Sequence, residues 1–105
     1  MEQPYFPYGN LVASANVNAA GIVDVNTGFG VVGNAALASS VYTYTLSNQI
    51  DPTNAIVLIT PLGTTAVYTS GGVTADNTVV VSTFNAAGAP TDAAHQVSVF
   101  RRALL

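Results

Sequence analysis

Three glycines in the first third of the chain have the spacing of a dinucleotide-binding loop. Gly28, Gly30 and Gly33 form Gly-x-Gly-x-x-Gly after the β-branched run of residues 22–25. Such a loop binds pyrophosphate when an amphipathic helix follows it and a carboxylate lies about 20 residues further on. Asp51 is suitably placed, but the residues after Gly33 soon become a β-branched alternation with no charged face. The sequence therefore predicts turn and bulge glycines, and no cofactor.

The same stretch begins like a calcium-binding loop. Asp24, Asn26 and Gly28 follow the pattern Asp-x-Asn-x-Gly, but Ala35 occupies the twelfth position, where the loop needs a bidentate glutamate. An Asx turn between two strands accounts for the acidic and amide side chains. The chain also has no cysteine, so it can form no thiolate metal site. We predict no metal.

A lone histidine is the candidate for general acid–base catalysis near neutral pH. His95 follows Asp92 by three residues, and serines occur throughout the chain, so a Ser-His-Asp hydrolase is one hypothesis. However, residues 90–92 have the composition of a turn, which favours a surface histidine beside that turn. The aspartates of the chain all fall in turn contexts and form no evident catalytic pair. We therefore predict no enzymatic activity, with a small hydrolase as the lesser alternative.

Charged side chains are scarce along the whole chain. They make up 7% of the 105 residues, against about 25% in a typical soluble domain. There is no lysine, Arg101 and Arg102 are the two arginines, and the net charge is −3. The chain lacks the basic patch of a nucleic-acid binder and the long apolar run of a membrane span. With so few charges, molecules of this chain repel one another only weakly. We therefore expect protein partners to cover much of the surface.

Short β-branched and aromatic runs alternate with Gly, Asn, Asp and Pro, which is typical of an all-β chain. The runs predict about eight short strands, at residues 11–17, 22–25, 29–32, 41–46, 55–60, 66–69, 78–84 and 95–101. This pattern predicts one antiparallel β-sandwich or jelly roll over residues 11–105. Runs that are apolar on both faces, such as residues 56–59, indicate strands covered by the core on one side and by another subunit on the other.

Residues 1–10 differ from the rest and are called the N-terminal arm. Pro4 and Pro7 make this arm extended and stiff, and Tyr5, Phe6 and Tyr8 give it a large aromatic contact area. The arm either folds back over its own domain or acts as a tether whose three aromatic rings fill pockets on another protein.

Several strand-and-turn segments carry a resemblance to known proteins. They are residues 15–23 (ANVNAAGIV), 40–46 (SVYTYTL), 55–61 (AIVLITP), 78–88 (TVVVSTFNAAG) and 96–101 (QVSVFR). With them, the chain from about residue 15 to residue 101 resembles the small β-sandwich domains of bacteriophage tail fibres, head fibres and capsid decoration proteins. Those domains are related in architecture to the trimeric jelly rolls of the tumour necrosis factor and C1q type.

The resemblance implies a viral structural protein of the virion, a capsid decoration, cement or fibre-type component that forms a homotrimer. Its expected partners are further copies of itself and the major capsid protein or another virion protein. Tyr5, Phe6 and Tyr8 are then the residues predicted to attach to the shell. Because the chain starts with Met and its own arm and has no coiled-coil or collagen-like repeats, a short virion component is favoured over a complete tail fibre.

Within such a trimer, we predict the intersubunit contacts at Tyr42, Tyr44 and Phe100. The alternative is a receptor-binding module of a phage tail fibre or spike, in which residues 69–72 or 85–88 form loops that recognise a host glycan. These predicted loops contain neither Trp nor Tyr, although glycan sites normally use aromatic platforms. The structural role is therefore the favoured hypothesis.

Overall fold

Seven antiparallel strands form two sheets in the computed structural model, which describes residues 11–63 and 67–101. The strands are β1 (Leu11–Val17), β2 (Val31–Ala38), β3 (Val41–Leu46), β4 (Ala55–Pro61), β5 (Val67–Ala75), β6 (Thr78–Asn85) and β7 (His95–Arg101). A short 3₁₀ turn, Pro52–Asn54, precedes β4. The three-stranded sheet has the order β1-β7-β4, and the four-stranded sheet has the order β2-β3-β6-β5. The predicted all-β sandwich is confirmed.

The core lies between the inward faces of the two sheets. Because side chains alternate between the faces of a strand, every second residue of β3, β6 and β7 is buried. The buried hydrophobic residues are Val12, Ala13, Ala15, Val17, Tyr42, Tyr44, Leu46, Ile50, Val79, Val81, Val97 and Val99. Burial of this apolar surface supplies the main favourable free energy of folding.

Two predicted strands, residues 22–25 and 29–32, are wrong in their extent. Most of this stretch is a loop that lies along the outer edge of β1, where the Ser14 and Phe29 backbones exchange hydrogen bonds of 3.0 and 2.9 Å. The turn at Asp24 interrupts the run, so no continuous strand forms there. The loop satisfies the backbone groups at this edge of the three-stranded sheet, which protects it from pairing with another chain.

Strands β2 and β5 extend beyond the predicted runs. β2 contains a bulge between Val32 and Ala36 and continues through residues of low β propensity to Ala38. β5 continues through Gly71 and Gly72 to Ala75, although glycines usually indicate a turn. Gly71 lies under β4, where an added Cβ would meet the Cδ1 atom of Ile59 at 2.9 Å. This glycine allows the two sheets to approach closely.

The Gly-x-Gly-x-x-Gly stretch leads directly into strand β2, and no helix follows it. Gly30 has a φ of +78° and Gly33 a φ of +67°, values that side chains rarely adopt. Gly30 also lies against β1, where a Cβ would come within 2.8 Å of the Ala13 Cβ. The prediction that these are turn and bulge glycines is confirmed. Within the described ranges, no helix is long and apolar enough to span a membrane.

Replacement of Gly30 by alanine tests this packing. We expect Gly30→Ala to lower the free energy of unfolding by about 3 kcal/mol, because a left-handed backbone and a steric overlap with β1 act together. Gly72→Ala is the matched control, since an added Cβ there meets nothing within 4 Å. Urea denaturation of both variants measures the difference. Equal stability of the two variants would contradict the proposed role of Gly30.

Candidate functional site

His95, the first residue of β7, is fully buried between the two sheets. Its Nδ1 atom donates to the carbonyl oxygen of Ala93 at 2.9 Å, and its Nε2 atom accepts from the Tyr44 hydroxyl. The Tyr42 ring packs edge-on against the imidazole with a centroid distance of 4.7 Å. The sequence prediction of a surface histidine is therefore wrong. This histidine connects β7 of one sheet to β3 of the other.

Burial determines the protonation of this cluster. Loss of solvation lowers the pKa of His95 below its ordinary value, partly opposed by the hydrogen bond to Ala93. Loss of solvation also raises the pKa of Tyr44, and the neighbouring Tyr42 adds to this effect. The pKa of Tyr42 is raised mainly by burial as well. All three rings are therefore neutral near pH 7, which suits a site in which every polar atom already has a partner.

The structure does not assemble a Ser-His-Asp triad around His95. Asp92 accepts a hydrogen bond of 2.7 Å from the Ser40 hydroxyl, while His95 donates to a backbone carbonyl instead. Thr83, another buried polar residue, donates to the carbonyl oxygen of Thr91 at 2.5 Å. In the described residues, no buried side-chain nitrogen or oxygen lacks a hydrogen-bond partner. In this arrangement the polar side chains of His95, Asp92 and Thr83 bond to partners within the fold.

The bond between Ser40 and Asp92 stabilises an unusual hairpin turn. Ser39 and Ser40 join β2 to β3, and both have positive φ angles, 52° and 63°. Two-residue hairpins of this type usually contain Asn or Gly, which adopt such angles at lower cost. Ser40 also accepts a backbone hydrogen bond from Thr83 at 3.2 Å. Asp92 therefore has a structural role at this turn.

The calcium-like motif is an Asx turn, as predicted. The Asp24 carboxylate accepts a hydrogen bond of 2.9 Å from the backbone N–H of Asn26, and the Asp24 carbonyl accepts from the Thr27 N–H. Among the residues that the structure describes, no three His, Cys, Asp or Glu side chains are grouped to hold a metal ion.

The predicted contact residues lie in different environments. Tyr42 and Tyr44 have no exposed surface, so in this fold neither side chain is available to a neighbouring copy, and the prediction fails for both. Tyr42 and Tyr44 lie on one face of β3, and that face is the chain's own core. Phe100 lies on the outer face of the three-stranded sheet and is half-buried, so its intersubunit role stays a prediction. Tyr5, Phe6 and Tyr8 lie outside the described residues.

An apolar surface surrounds Phe100. Its partners across the strands are Leu11 in β1 and Ile56 in β4, and cross-strand partners lie on the same face of a sheet. Leu58 is on this face too, two residues along β4, and is 56% exposed. We call Leu11, Ile56, Leu58 and Phe100 the outer patch. The sequence run of residues 56–59, apolar on both faces, was the signal that predicted a covered strand here.

The stretches proposed for glycan recognition do not form open loops. Residues 69–72 lie inside β5. The turn at residues 85–88 is closed by Asn85, whose side-chain oxygen accepts from the N–H groups of Ala87 and Ala89 at 2.9 and 3.0 Å. These polar groups are used within the turn, so the structure offers no observation that favours glycan binding.

Comparison with known proteins leaves the family open. The chain matches no protein-family model, no curated protein and no solved structure.

The buried histidine makes stability depend on pH. Because the pKa of His95 is lower in the folded chain than its ordinary value of 6.5, unfolding takes up a proton below that pH. We expect the free energy of unfolding to be nearly constant between pH 7 and pH 8 and to fall as the pH drops below 6.5, with a slope that approaches about 1.4 kcal/mol per pH unit. The loss levels off below the folded-state pKa.

Urea denaturation between pH 7.5 and pH 5 measures this slope. The chain has one histidine, so the slope is assigned to His95 by comparison with a variant that lacks it. A His95→Gln variant serves as the control and should show no such slope over the same range. A stability that is flat in the parent chain would contradict the neutral, buried histidine.

Proposed function

We propose that this protein is a non-enzymatic structural component of a virion that forms a homotrimer and attaches to the shell as a decoration, cement or fibre-type protein. The observation that carries the proposal is the uncharged, apolar outer patch on a β-sandwich that has little charge elsewhere. The resemblance of residues 15–101 to phage fibre and decoration domains supports the viral setting and the threefold symmetry.

The distribution of charge supports association between copies. Within the seven strands of the described part, Arg101 is the one side chain that carries a charge at neutral pH. Ile56 and Leu58 expose 43% and 56% of their surface. Burial of such apolar surface is favourable by about 25 cal/mol per Å², and no charged strand residue at the outer patch has to lose its hydration. A second copy or another shell protein is therefore a suitable partner.

The buried polar residues support a structural role over a catalytic one. His95, Tyr44, Ser40 and Asp92 use their polar atoms in bonds within the fold. A catalytic base needs to reach the proton that it abstracts, and the His95 ring has no exposed surface. In our proposal these residues stabilise the sandwich that presents the outer patch.

Each part of the chain has a separate task in this proposal. Phe100 and its β1 partner Leu11 form the threefold contact between subunits. The N-terminal arm, which precedes Leu11 in the sequence, carries Tyr5, Phe6 and Tyr8 to pockets on the shell protein. Assembly of several copies makes several arms available at once, which raises the strength of attachment through multivalency.

The mass in solution tests the proposal. We expect the full chain of 10.7 kDa to elute in size-exclusion chromatography with light scattering at three chains or a multiple of three. Phe100→Ser should lower this mass because the variant removes the aromatic ring from the outer patch. Val25→Ser is the control, since Val25 is 83% exposed and follows Asp24, which is bonded to Asn16 at the end of β1 remote from Leu11.

Substitution of Tyr5, Phe6 and Tyr8 by alanine should leave the mass unchanged, because the arm is assigned to the shell and not to the trimer. Circular dichroism on each variant confirms that the sandwich is folded. A folded monomer in the parent chain would contradict the proposal.

A further inference from the structure

The sheet edges of the sandwich differ in how they are protected. The outer edge of β1 is hydrogen-bonded to the loop that contains Asp24 and Phe29. The β2 edge has a bulge, and Ala35 in it donates to the carbonyl oxygen of Gly21 at 2.9 Å. The β5 edge has a register shift before Ala75. Bulges and covering loops are common means of preventing edge-to-edge pairing.

Strand β4 has none of these protections along residues 55–60. In the described part of the chain it pairs with β7 alone, in continuous register. Its sequence, AIVLITP, contains no charged residue and ends in Pro61. An apolar edge without a bulge is a template for pairing with another strand. β4 therefore has both an unpaired backbone edge and, at Ile56 and Leu58, an exposed apolar face.

The direction of the free backbone groups follows from one hydrogen bond. The N–H of Leu62 donates to the carbonyl oxygen of Ala94 at 3.0 Å, which extends the β4–β7 ladder by one residue. Because successive residues direct their backbone groups to opposite sides of a strand, the even-numbered residues of β4 point to β7. Ala55, Val57, Ile59 and Pro61 therefore point to the free edge. Pro61 lacks an N–H, so the donors on this edge end at Ile59.

We infer that β4 pairs antiparallel with β4 of a second copy of this chain across a twofold axis at Val57. In this register, Val57 lies opposite Val57 of the second copy, and Ala55 lies opposite Ile59. All three residues have both backbone groups on the free edge, so the two strands exchange about six hydrogen bonds. Pro61 falls outside the paired segment and limits its length. The three-stranded sheets of two copies then form one continuous six-stranded sheet.

The same register matches the side chains on the outer face. Ile56 of each copy lies opposite Leu58 of the other, as a pair whose side chains are in close contact. Both residues are exposed in the single chain and become partly covered by each other. Because β4 carries no charge, identical strands meet without electrostatic repulsion. The edge is thus complementary to itself, which favours a second copy over a different partner.

This inference goes beyond the proposed trimer and does not depend on it. The trimer is assigned to the Phe100 region of the outer patch, whereas the β4 contact is a twofold contact between backbone edges. If both contacts form, the smallest closed assembly contains six chains, which is a multiple of three. If the threefold contact does not form, the β4 contact alone gives a dimer.

A charge-pair experiment on the full chain tests the register. Leu58→Lys and Ile56→Glu each place a charge against an apolar residue when two identical copies pair. Each variant alone should therefore form an assembly with half the mass of the parent assembly. An equimolar mixture of the two variants should regain the parent mass, because Lys at 58 then faces Glu at 56. Thr60→Lys is the control on the same strand and face, and should keep the parent mass.

Amide hydrogen exchange gives a second measurement that does not depend on the mixture. In the parent chain, the N–H groups of Val57 and Ile59 should exchange slowly, and they should exchange much faster in Leu58→Lys. The N–H groups of Leu58 and Thr60 are bonded to β7, so they should stay protected in both proteins and show that the sheet is intact.

Several results would overturn the β4 contact. They are a Leu58→Lys mass equal to that of the parent, fast exchange at Val57 and Ile59 in the parent, and recovery of mass with Thr60→Glu in place of Ile56→Glu. A parent mass of three chains that Leu58→Lys leaves unchanged would remove this contact and retain the proposed trimer. A mass of two chains that falls to one would retain the contact and remove the trimer.

Discussion

The packing of the His95 ring between the two sheets is the constraint on which the core depends. An imidazole without exposed surface has to find a partner for each nitrogen, since an unsatisfied buried polar group costs about 1 to 3 kcal/mol. Ala93 and Tyr44 supply these partners. Because Tyr44 belongs to β3 and His95 to β7, the bond fixes how one sheet lies on the other. It also directs the tyrosines of β3 inward, which leaves the Val and Thr residues of that strand on its outer face.

The scarcity of charge has a structural counterpart in the strands. The aspartates of the described part lie in loops and turns, where the carboxylates of Asp24 and Asp51 accept from nearby backbone N–H groups. The sheets themselves present small polar, β-branched and apolar side chains. A soluble monomer usually separates its copies by charged strand edges. This chain instead covers the β1 edge with its own loop, while in the described residues β4 pairs with β7 alone, as the proposed assembly requires.

Much of the fold could be predicted from the sequence, because the strands with strong alternation have clear signals. β1, β3 and β7 begin and end at the predicted residues. The sequence predicts β2 and β5 to be shorter than they are, because alanine and glycine give no β signal. Tertiary packing nevertheless keeps these residues in the sheet. The faces were harder to assign. The alternation in β3 shows that Tyr42 and Tyr44 share a face. Only their distant partners determine that this face is the core: His95 bonds to Tyr44 and Ala93 bonds to Tyr42, each 51 residues away.

The pairing of β1 with β7 has a consequence for synthesis of the chain. The hydroxyl groups of Ser14 and Ser98 meet at 3.1 Å across 84 residues, so the first described strand cannot complete its sheet until the last has left the ribosome. β7 also lies between β1 and β4 and carries His95. Contacts between such distant segments slow folding because a long loop must close first. The nascent chain therefore exposes its apolar strands until β7 is made, and the sandwich is expected to form only after β7 has left the ribosome.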